Sequence, residues 1–214
     1  MDSRTGLAST AAGGHIAAMP ANEISPVVPV SRTDLSDVET WIFDLDNTLY
    51  QASPKMHGEV DELLGSFVSE FLDVDRIEAR RIQKAYFHEF GMTLCGLIEN
   101  HDLDPEVYFR HMLRADLSSI GPDPALVDAI AALKGRKVVY SNAPSAHVNQ
   151  VLEQIGLAPH FDAVHDIEAA GFTPKPAHAA YVELCRRYDI APGRAVMIDD
   201  IPRNLKPAAE IGMT

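Results

Sequence analysis

Residues 40–48 read Thr-Trp-Ile-Phe-Asp-Leu-Asp-Asn-Thr, and this stretch decides the fold. Its apolar run, residues 40–45, predicts a buried strand whose carboxyl end delivers acidic side chains to a site. Asp44 and Asp46 at such a strand end are costly to bury without a cation. A hard divalent ion such as Mg²⁺ takes oxygen ligands and often a substrate phosphate as well. The alternative is a turn or helix cap that uses Asp and Asn.

The chain after residues 121–124 (Gly-Pro-Asp-Pro) alternates between helical and strand patterns. Short apolar strands separated by helices predict an α/β fold with a parallel, doubly wound sheet. Ligands in such sheets bind beyond the carboxyl ends of the strands. The predicted strands are 137–141, 163–167 and 195–199, and the predicted helices are 124–133, 145–155, 177–188 and one that begins near 202.

Two further predicted strands also end in polar side chains. Ser141 and Asn142 stand at the end of one strand, where a hydroxyl, an amide and free helix N–H groups can bind phosphate oxygens. Both residue types are also ordinary helix caps. Asp199 and Asp200 stand at the end of the other strand, and adjacent carboxylates in a crowded pocket repel unless a metal lies between them. The alternative there is a solvated loop at a helix N-terminus, where Asp is favoured.

Lys175 stands between two prolines, in Thr-Pro-Lys-Pro at residues 173–176. The prolines stiffen the loop, so the lysine can supply a fixed cation against phosphate and carboxylate. A single lysine is otherwise a solvated surface group.

The formal net charge is −13, from 18 basic and 31 acidic side chains. Such a surface repels nucleic acid polymers and anionic membranes, so we expect neither as a partner. A phosphorylated substrate would need local positive charge, which a metal, Lys175 and helix N-termini can supply.

The setting is predicted to be cytoplasmic. No apolar run approaches the ~20 residues of a membrane span, and the start lacks the ordered regions of a signal peptide. Cys95 and Cys185 have neither metal-ligand spacing nor the density of a disulfide scaffold.

Two segments flank or interrupt the α/β pattern. Residues 1–36, rich in Ala, Ser, Gly, Pro and Thr, predict a disordered tail. Residues 54–116, the helical segment, carry apolar side chains at helical spacing, with helices predicted from residue 54 and near 75–90 and 104–113.

The order of these motifs resembles that of the haloacid dehalogenase (HAD) superfamily over residues 40–214. The resemblance implies a Rossmann-like core (37–53 and 117–214) and a mobile cap formed by the helical segment, 54–116; the alternative is that these helices belong to the core. Superfamily relatives continue beyond Thr214 into a further strand and helix. The matched motif residues are Asp44, Asp46, Thr48, Ser141, Lys175, Asp199, Asp200 and Asn204.

The same resemblance implies a Mg²⁺-dependent hydrolase of phosphate monoesters. Asp44 would attack phosphorus and form an aspartyl-phosphate. Asp46 would protonate the leaving alkoxide and later deprotonate water. Dehalogenases of the superfamily lack this second Asp, because a halide leaves without a proton, so Asp46 favours a phosphatase.

The implied ligand sets follow the strand ends. The metal would bind the Asp44 carboxylate, the Asp46 backbone carbonyl and Asp200, with Asp199 either binding it directly or lying just behind its ligands. The groups expected to hold the phosphoryl oxygens are Ser141, Asn142 and Lys175.

Two stretches resemble the pyrimidine 5′-nucleotidase branch, which hydrolyses UMP and CMP: residues 44–50 (Asp-Leu-Asp-Asn-Thr-Leu-Tyr) and residues 86–97. A nucleoside monophosphate is therefore the expected substrate. The alternative for residues 86–97 is that Phe90 and Leu94 only pack helices around a turn. The candidate substrate-selecting residues are Tyr50, Gly91, Thr93 and Gly96.

Two other functions remain open on the sequence. One is a phosphatase or phosphomutase for sugar phosphates or phosphoglycolate. The other is a catalytically idle HAD domain that binds a protein, against which the full set of Asp44, Asp46, Lys175 and Asp200 weighs. No pattern predicts an oligomeric state.

Overall fold

The computed structural model describes residues 35–214, and the predicted disordered tail lies outside the described residues except at its last two positions. Within them, one parallel sheet has the strand order β3-β2-β1-β4. The α/β prediction is therefore confirmed. Phe43 of β1 lies opposite Val139 of β2 and Ile198 of β4, so β1 and β4 end at the same level and β2 ends one residue beyond them. The strands are β1 (Thr40–Phe43), β2 (Arg136–Tyr140), β3 (Ala163–His165) and β4 (Ala195–Ile198).

Helices cover both faces of this sheet. Alternate side chains of a strand point to opposite faces. Phe43 and Val139 pack with α5 and α6 on one face, while Ile42 and Val138 pack with α7 and α8 on the other. Burial on both faces explains why the strands are apolar runs rather than alternating patterns. These helices are α5 (Pro124–Ala132), α6 (Ser145–Gln154), α7 (His178–Tyr188) and α8 (Pro202–Glu210).

The helical segment contains four helices between β1 and α5: α1 (Pro54–Leu72), α2 (Arg76–Phe90), α3 (Thr93–His101) and α4 (Pro105–Met112). The sequence predicts three, and α3 is the one that it misses. Gly91, at φ 77°, ends α2 in the left-handed conformation, and α3 begins two residues later. The four helices share an apolar cluster that includes Phe67 and Leu97, and Ile167 after β3 joins it.

Side chains cap the starts of four helices, and these starts lie within one residue of the predicted positions. Ser53, Asp75, Asp104 and Asp123 each accept a hydrogen bond from a backbone N–H of the following first turn. Proline follows the cap in α1, α4 and α5, where its missing N–H costs no helical bond. None of the helices in residues 35–214 combines the length and apolar character needed to cross a bilayer.

Candidate active site

Lys175 is the centre of the charged network at the carboxyl ends of the strands. Its Nζ donates to Asp44 Oδ1 at 2.7 Å, to Asp199 Oδ2 at 2.7 Å and to the Tyr140 carbonyl at 2.9 Å. The Lys175 side chain is only 2% exposed, so this lysine is not the solvated surface group of the alternative interpretation. Three acceptors satisfy the three N–H bonds of the buried ammonium group.

Both carboxylate oxygens of Asp44 are held. Oδ1 accepts from Lys175, and Oδ2 accepts from the Thr48 hydroxyl at 3.0 Å. The Thr48 hydroxyl oxygen in turn accepts the backbone N–H of Asp200 at 3.2 Å, which joins the ends of β1 and β4. Burial raises the pKa of Asp44 to about 6, even though Lys175 favours its ionised form.

Asp199 and Asp200 have different surroundings although they are adjacent. The buried Asp199 carboxylate accepts from Lys175, from the Ile201 backbone N–H at 2.9 Å and from the Asn204 amide at 2.9 and 3.0 Å. Asp200 is exposed, and partial burial together with the charge of Asp199 raises its pKa. Asp199 therefore orients the lysine, while the Asp200 carboxylate is open to solvent.

Carboxylate oxygens of Asp44, Asp199 and Asp200 lie within 4.8 Å of one another. Within residues 35–214, Lys175 is the one cation bonded to these carboxylates, which leaves two negative charges in excess when all three are ionised. Hard oxygen donors with this excess charge fit Mg²⁺. The Asp46 carboxylate does not belong to this cluster, which is compatible with the expectation that Asp46 offers its backbone carbonyl.

Ser141 and Asn142 lie beside the lysine, at the end of β2. The buried Ser141 hydroxyl oxygen accepts the Ala143 backbone N–H at 3.0 Å. The Asn142 side chain accepts the Lys175 backbone N–H at 2.8 Å and donates to the Lys175 carbonyl at 3.1 Å. The Asn142 amide thus fixes the lysine loop, and phosphate binding by either residue stays a prediction.

The Asp46 carboxylate, two residues after Asp44, has two hydrogen-bond donors. Its Oδ1 accepts from the Tyr50 hydroxyl at 2.5 Å and from His147 Nε2 at 2.9 Å. Burial raises the pKa of Asp46, but the hydrogen bonds from His147 and Tyr50 outweigh it, so the pKa lies below its ordinary value.

Sequence reasoning missed His147. This residue stands in the first turn of α6, which starts beyond the carboxyl end of β2. Helices that follow parallel strands begin at the edge of the sheet where ligands bind. A polar side chain in that first turn was the signal that could have identified it.

A cavity of about 320 Å³ adjoins Asp46. Tyr50, Asn142 and His147 line it on the sheet side, and residues of the helical segment close the other side. Neither lysine nor arginine is among its lining residues. The apolar lining side chains of the helical segment and its flanks are Ala52, Met56, Val60, Met92, Met112, Leu113, Ala115 and Leu117.

Of the four candidate substrate-selecting residues, Tyr50 lines this cavity and the other three do not. Gly91 lies against the lysine loop, where a Cβ would be 3.3 Å from the Lys175 carbonyl. The Thr93 hydroxyl donates to the Gln83 carbonyl at 3.2 Å, and Gly96 lies against the Tyr86 ring. Thr93 and Gly96 thus contact α2, and substrate selection by any of the four residues stays a prediction.

A family model described as haloacid dehalogenase-like hydrolase matches residues 38–212. The chain therefore belongs to the haloacid dehalogenase-like hydrolases, as the order of its motifs predicts. Phosphate metabolism protein 8 of Saccharomyces cerevisiae is 26% identical to it over 192 residues. This match covers 82% of the present chain and 60% of the yeast protein, so the chain spans about three fifths of that relative.

Solved structures share the fold. A HAD family enzyme from Bacteroides thetaiotaomicron has a TM-score of 0.55 at 14% identity, over 83% of this chain and 91% of that chain. An Asp-to-Ala variant of the Bacteroides enzyme, in complex with magnesium and inorganic phosphate, has a TM-score of 0.53 at 14% identity, over 83% and 92%. A haloacid dehalogenase-like hydrolase from Xanthomonas campestris has a TM-score of 0.54 at 19% identity, over 86% and 83%.

Proposed function

We propose that this hydrolase is a Mg²⁺-dependent phosphatase that attacks phosphate monoesters with the carboxylate of Asp44. The observation that carries the proposal is the buried Lys175, bonded to both Asp44 and Asp199 at 2.7 Å, next to the solvent-open Asp200. Lysine keeps a buried carboxylate ionised and able to act as a nucleophile. The Bacteroides complex with magnesium and phosphate supports the assignment of both ligands.

The reaction takes two steps. In the first, an Asp44 oxygen bonds to phosphorus while the ester bond breaks, and Asp46 gives its proton to the departing alkoxide. In the second, Asp46 takes a proton from water, the water oxygen bonds to phosphorus, and the bond to Asp44 breaks. Lys175 offsets the negative charge of Asp44 and the phosphoryl group throughout.

Mg²⁺, when bound by the Asp44 carboxylate, the Asp46 backbone carbonyl and Asp200, supplies positive charge that reduces repulsion between nucleophile and phosphate. Asp199 sets the position of Lys175 and completes the acidic cluster. Ser141 and the backbone at Asn142 are proposed to hold the phosphoryl oxygens.

The proposed substrate is a nucleoside monophosphate, with UMP and CMP as first candidates. The cavity beside Asp46 supports this because its walls are mostly apolar and include three methionines, Met56, Met92 and Met112. Flexible thioether side chains pack well against the faces of an aromatic base. A glycolate carboxylate would lie there without a lysine or an arginine to pair with, and a sugar would lose hydrogen bonds to water that apolar walls do not replace.

The test is phosphate release from UMP, CMP, several sugar phosphates and phosphoglycolate, with Mg²⁺ and with Asp44→Asn as the control. We expect the highest kcat/KM for the nucleotides. A preference for phosphoglycolate or a sugar phosphate would contradict the substrate and leave the phosphatase standing. Isomerised product without free phosphate would indicate a mutase. Folded protein that is inactive on every substrate would overturn the phosphatase and favour a binding module.

A further inference from the structure

Asp46 is held unusually for a side chain that is 39% exposed. Its Oδ1 accepts two hydrogen bonds, from the Tyr50 hydroxyl and from His147 Nε2. The donors come from separate segments, because Tyr50 follows β1 and His147 belongs to α6. The second oxygen, Oδ2, accepts no hydrogen bond from a side chain or backbone group of residues 35–214.

We propose that Tyr50 and His147 are positioning residues that fix Asp46 Oδ1 and leave Oδ2 as the oxygen that transfers the proton. This inference rests on the proposed phosphatase function. An exposed carboxylate that is free to rotate would present either oxygen in many orientations, whereas general acid catalysis needs the proton within hydrogen-bond reach of the leaving group.

The charges also favour different roles for the two Asp46 oxygens, with Oδ1 accepting hydrogen bonds and Oδ2 transferring the proton. Two donors at Oδ1 occupy the lone pairs of that oxygen, so the proton that Asp46 takes up before it acts as an acid belongs on Oδ2. When that proton passes to the leaving alkoxide, negative charge develops on Asp46, and the same two donors stabilise it. The Tyr50 hydroxyl and the His147 ring therefore contribute without touching phosphorus.

The location of the donors supports a role in proton transfer to the leaving group. Asp46, Tyr50 and His147 all line the cavity that we assign to the leaving group. None of the three belongs to the acidic cluster that fits Mg²⁺. Loss of a donor should therefore affect esters that need a proton on departure and spare those that do not.

The experiment compares two substrates in single-turnover mixing. UMP has a poor leaving group that needs protonation, and p-nitrophenyl phosphate has a good one that leaves as an anion. The variants are Tyr50→Phe, His147→Ala and His147→Gln, and the control is His88→Ala, which removes an exposed histidine on α2. Thermal unfolding of each variant checks that it is folded.

We expect His147→Ala to slow phosphoryl-enzyme formation from UMP roughly 10- to 100-fold, a part of the full contribution of a general acid. The rate from p-nitrophenyl phosphate should stay within about twofold, and KM for UMP should change little, because binding is not the lost interaction. Tyr50→Phe should show the same selective loss. His147→Gln keeps an N–H donor of similar reach and should recover part of the rate.

Equal losses on both substrates, or no loss on either, would overturn the positioning role while wild-type activity keeps the phosphatase proposal intact. Wild-type protein that fails on both substrates would overturn the phosphatase proposal itself. Tyr50→Phe keeps the ring and removes one hydroxyl, so it tests the inference even where His147→Ala fails to fold.

Discussion

At the phosphate end of the site, Asp44 and Asp199 are buried and each accepts a hydrogen bond from the buried Lys175, whereas at the other end Asp46 is 39% exposed and faces an apolar cavity. The first arrangement satisfies each charged group within the fold. The second arrangement holds one group that transfers a proton, and its remaining walls select a leaving group by the shape and the apolar character of the cavity. We therefore expect changes at the first end to affect every substrate, and changes at the second to affect which substrate reacts.

The most severe test of the phosphate end is Asp44→Asn. The amide has nearly the shape of the carboxylate but cannot form the aspartyl-phosphate, so turnover should fall roughly 10⁴-fold or more on all substrates. Steady-state phosphate release measures this, and circular dichroism checks the fold. Substantial remaining Mg²⁺-dependent turnover would contradict the proposed nucleophile.

Lys175→Met should damage stability as well as activity. It removes the cation between Asp44 and Asp199 and leaves both carboxylates buried without it. We expect the free energy of unfolding to fall by about 3–5 kcal/mol, as measured by urea denaturation without Mg²⁺. The control is Lys206→Met, because the Lys206 side chain is 79% exposed and its change should cost less than about 1 kcal/mol. Equal decreases in the free energy of unfolding of the two variants would contradict the prediction that the buried lysine contributes more to stability than the exposed one.

A charge added to the cavity should change which substrate the protein prefers. Leu113 lines the cavity and is 42% exposed, so Leu113→Lys should fold and place a cation beside the leaving group. We expect KM for UMP to rise roughly 10-fold with kcat little changed, and phosphoglycolate to become a better substrate. Val107→Lys is the matched control, since Val107 is 40% exposed on α4 and does not line the cavity. An identical change in KM in both variants would contradict the prediction that the cavity determines which substrate reacts.

Protons and Mg²⁺ should compete at the phosphate end. Burial raises the pKa of Asp44 to about 6, so without metal this residue favours the folded state less as the pH rises from about 4 to about 6. Mg²⁺ needs the ionised carboxylate, and its apparent affinity should fall roughly 10-fold between about pH 7 and pH 5. The rise in Tm on adding Mg²⁺ should therefore be smaller at pH 5. In Asp44→Asn, the increase in Tm on adding Mg²⁺ should depend much less on pH. An unchanged pH dependence would show that a group other than Asp44 titrates.

The residues of the phosphate end could be predicted from the sequence, because each charged residue stands in a recognisable local sequence pattern. Asp44 and Asp199 end apolar runs, and Lys175 stands between prolines. The α/β sheet followed from the same alternation. The division into core and cap and the individual roles of the site residues stay predictions.

At the cavity end the sequence indicates Asp46 and Tyr50, but the remaining walls depend on how distant elements pack. His147 meets Asp46 across 101 residues of sequence. Its place in the first turn of α6 can be predicted, but the rotation of α6 about its axis, which brings the ring to the carboxylate, cannot. The three cavity methionines stand in α1, between α2 and α3, and at the end of α4. In sequence they are ordinary apolar residues. Gly96 and Thr93 drew attention by their residue types, yet their contacts are with neighbouring helices.

The paired bonds between the Asn142 side chain and the Lys175 backbone have a thermodynamic consequence. A loop ordered only by its ligand gives up conformational freedom at each encounter, and that entropy is subtracted from affinity. Here the amide of Asn142 orders the lysine loop when the chain folds. The loop therefore loses its conformational entropy once, during folding, and not each time a substrate binds. The ammonium group is then already aimed when a substrate arrives, and the binding free energy of the phosphate is left for the reaction itself.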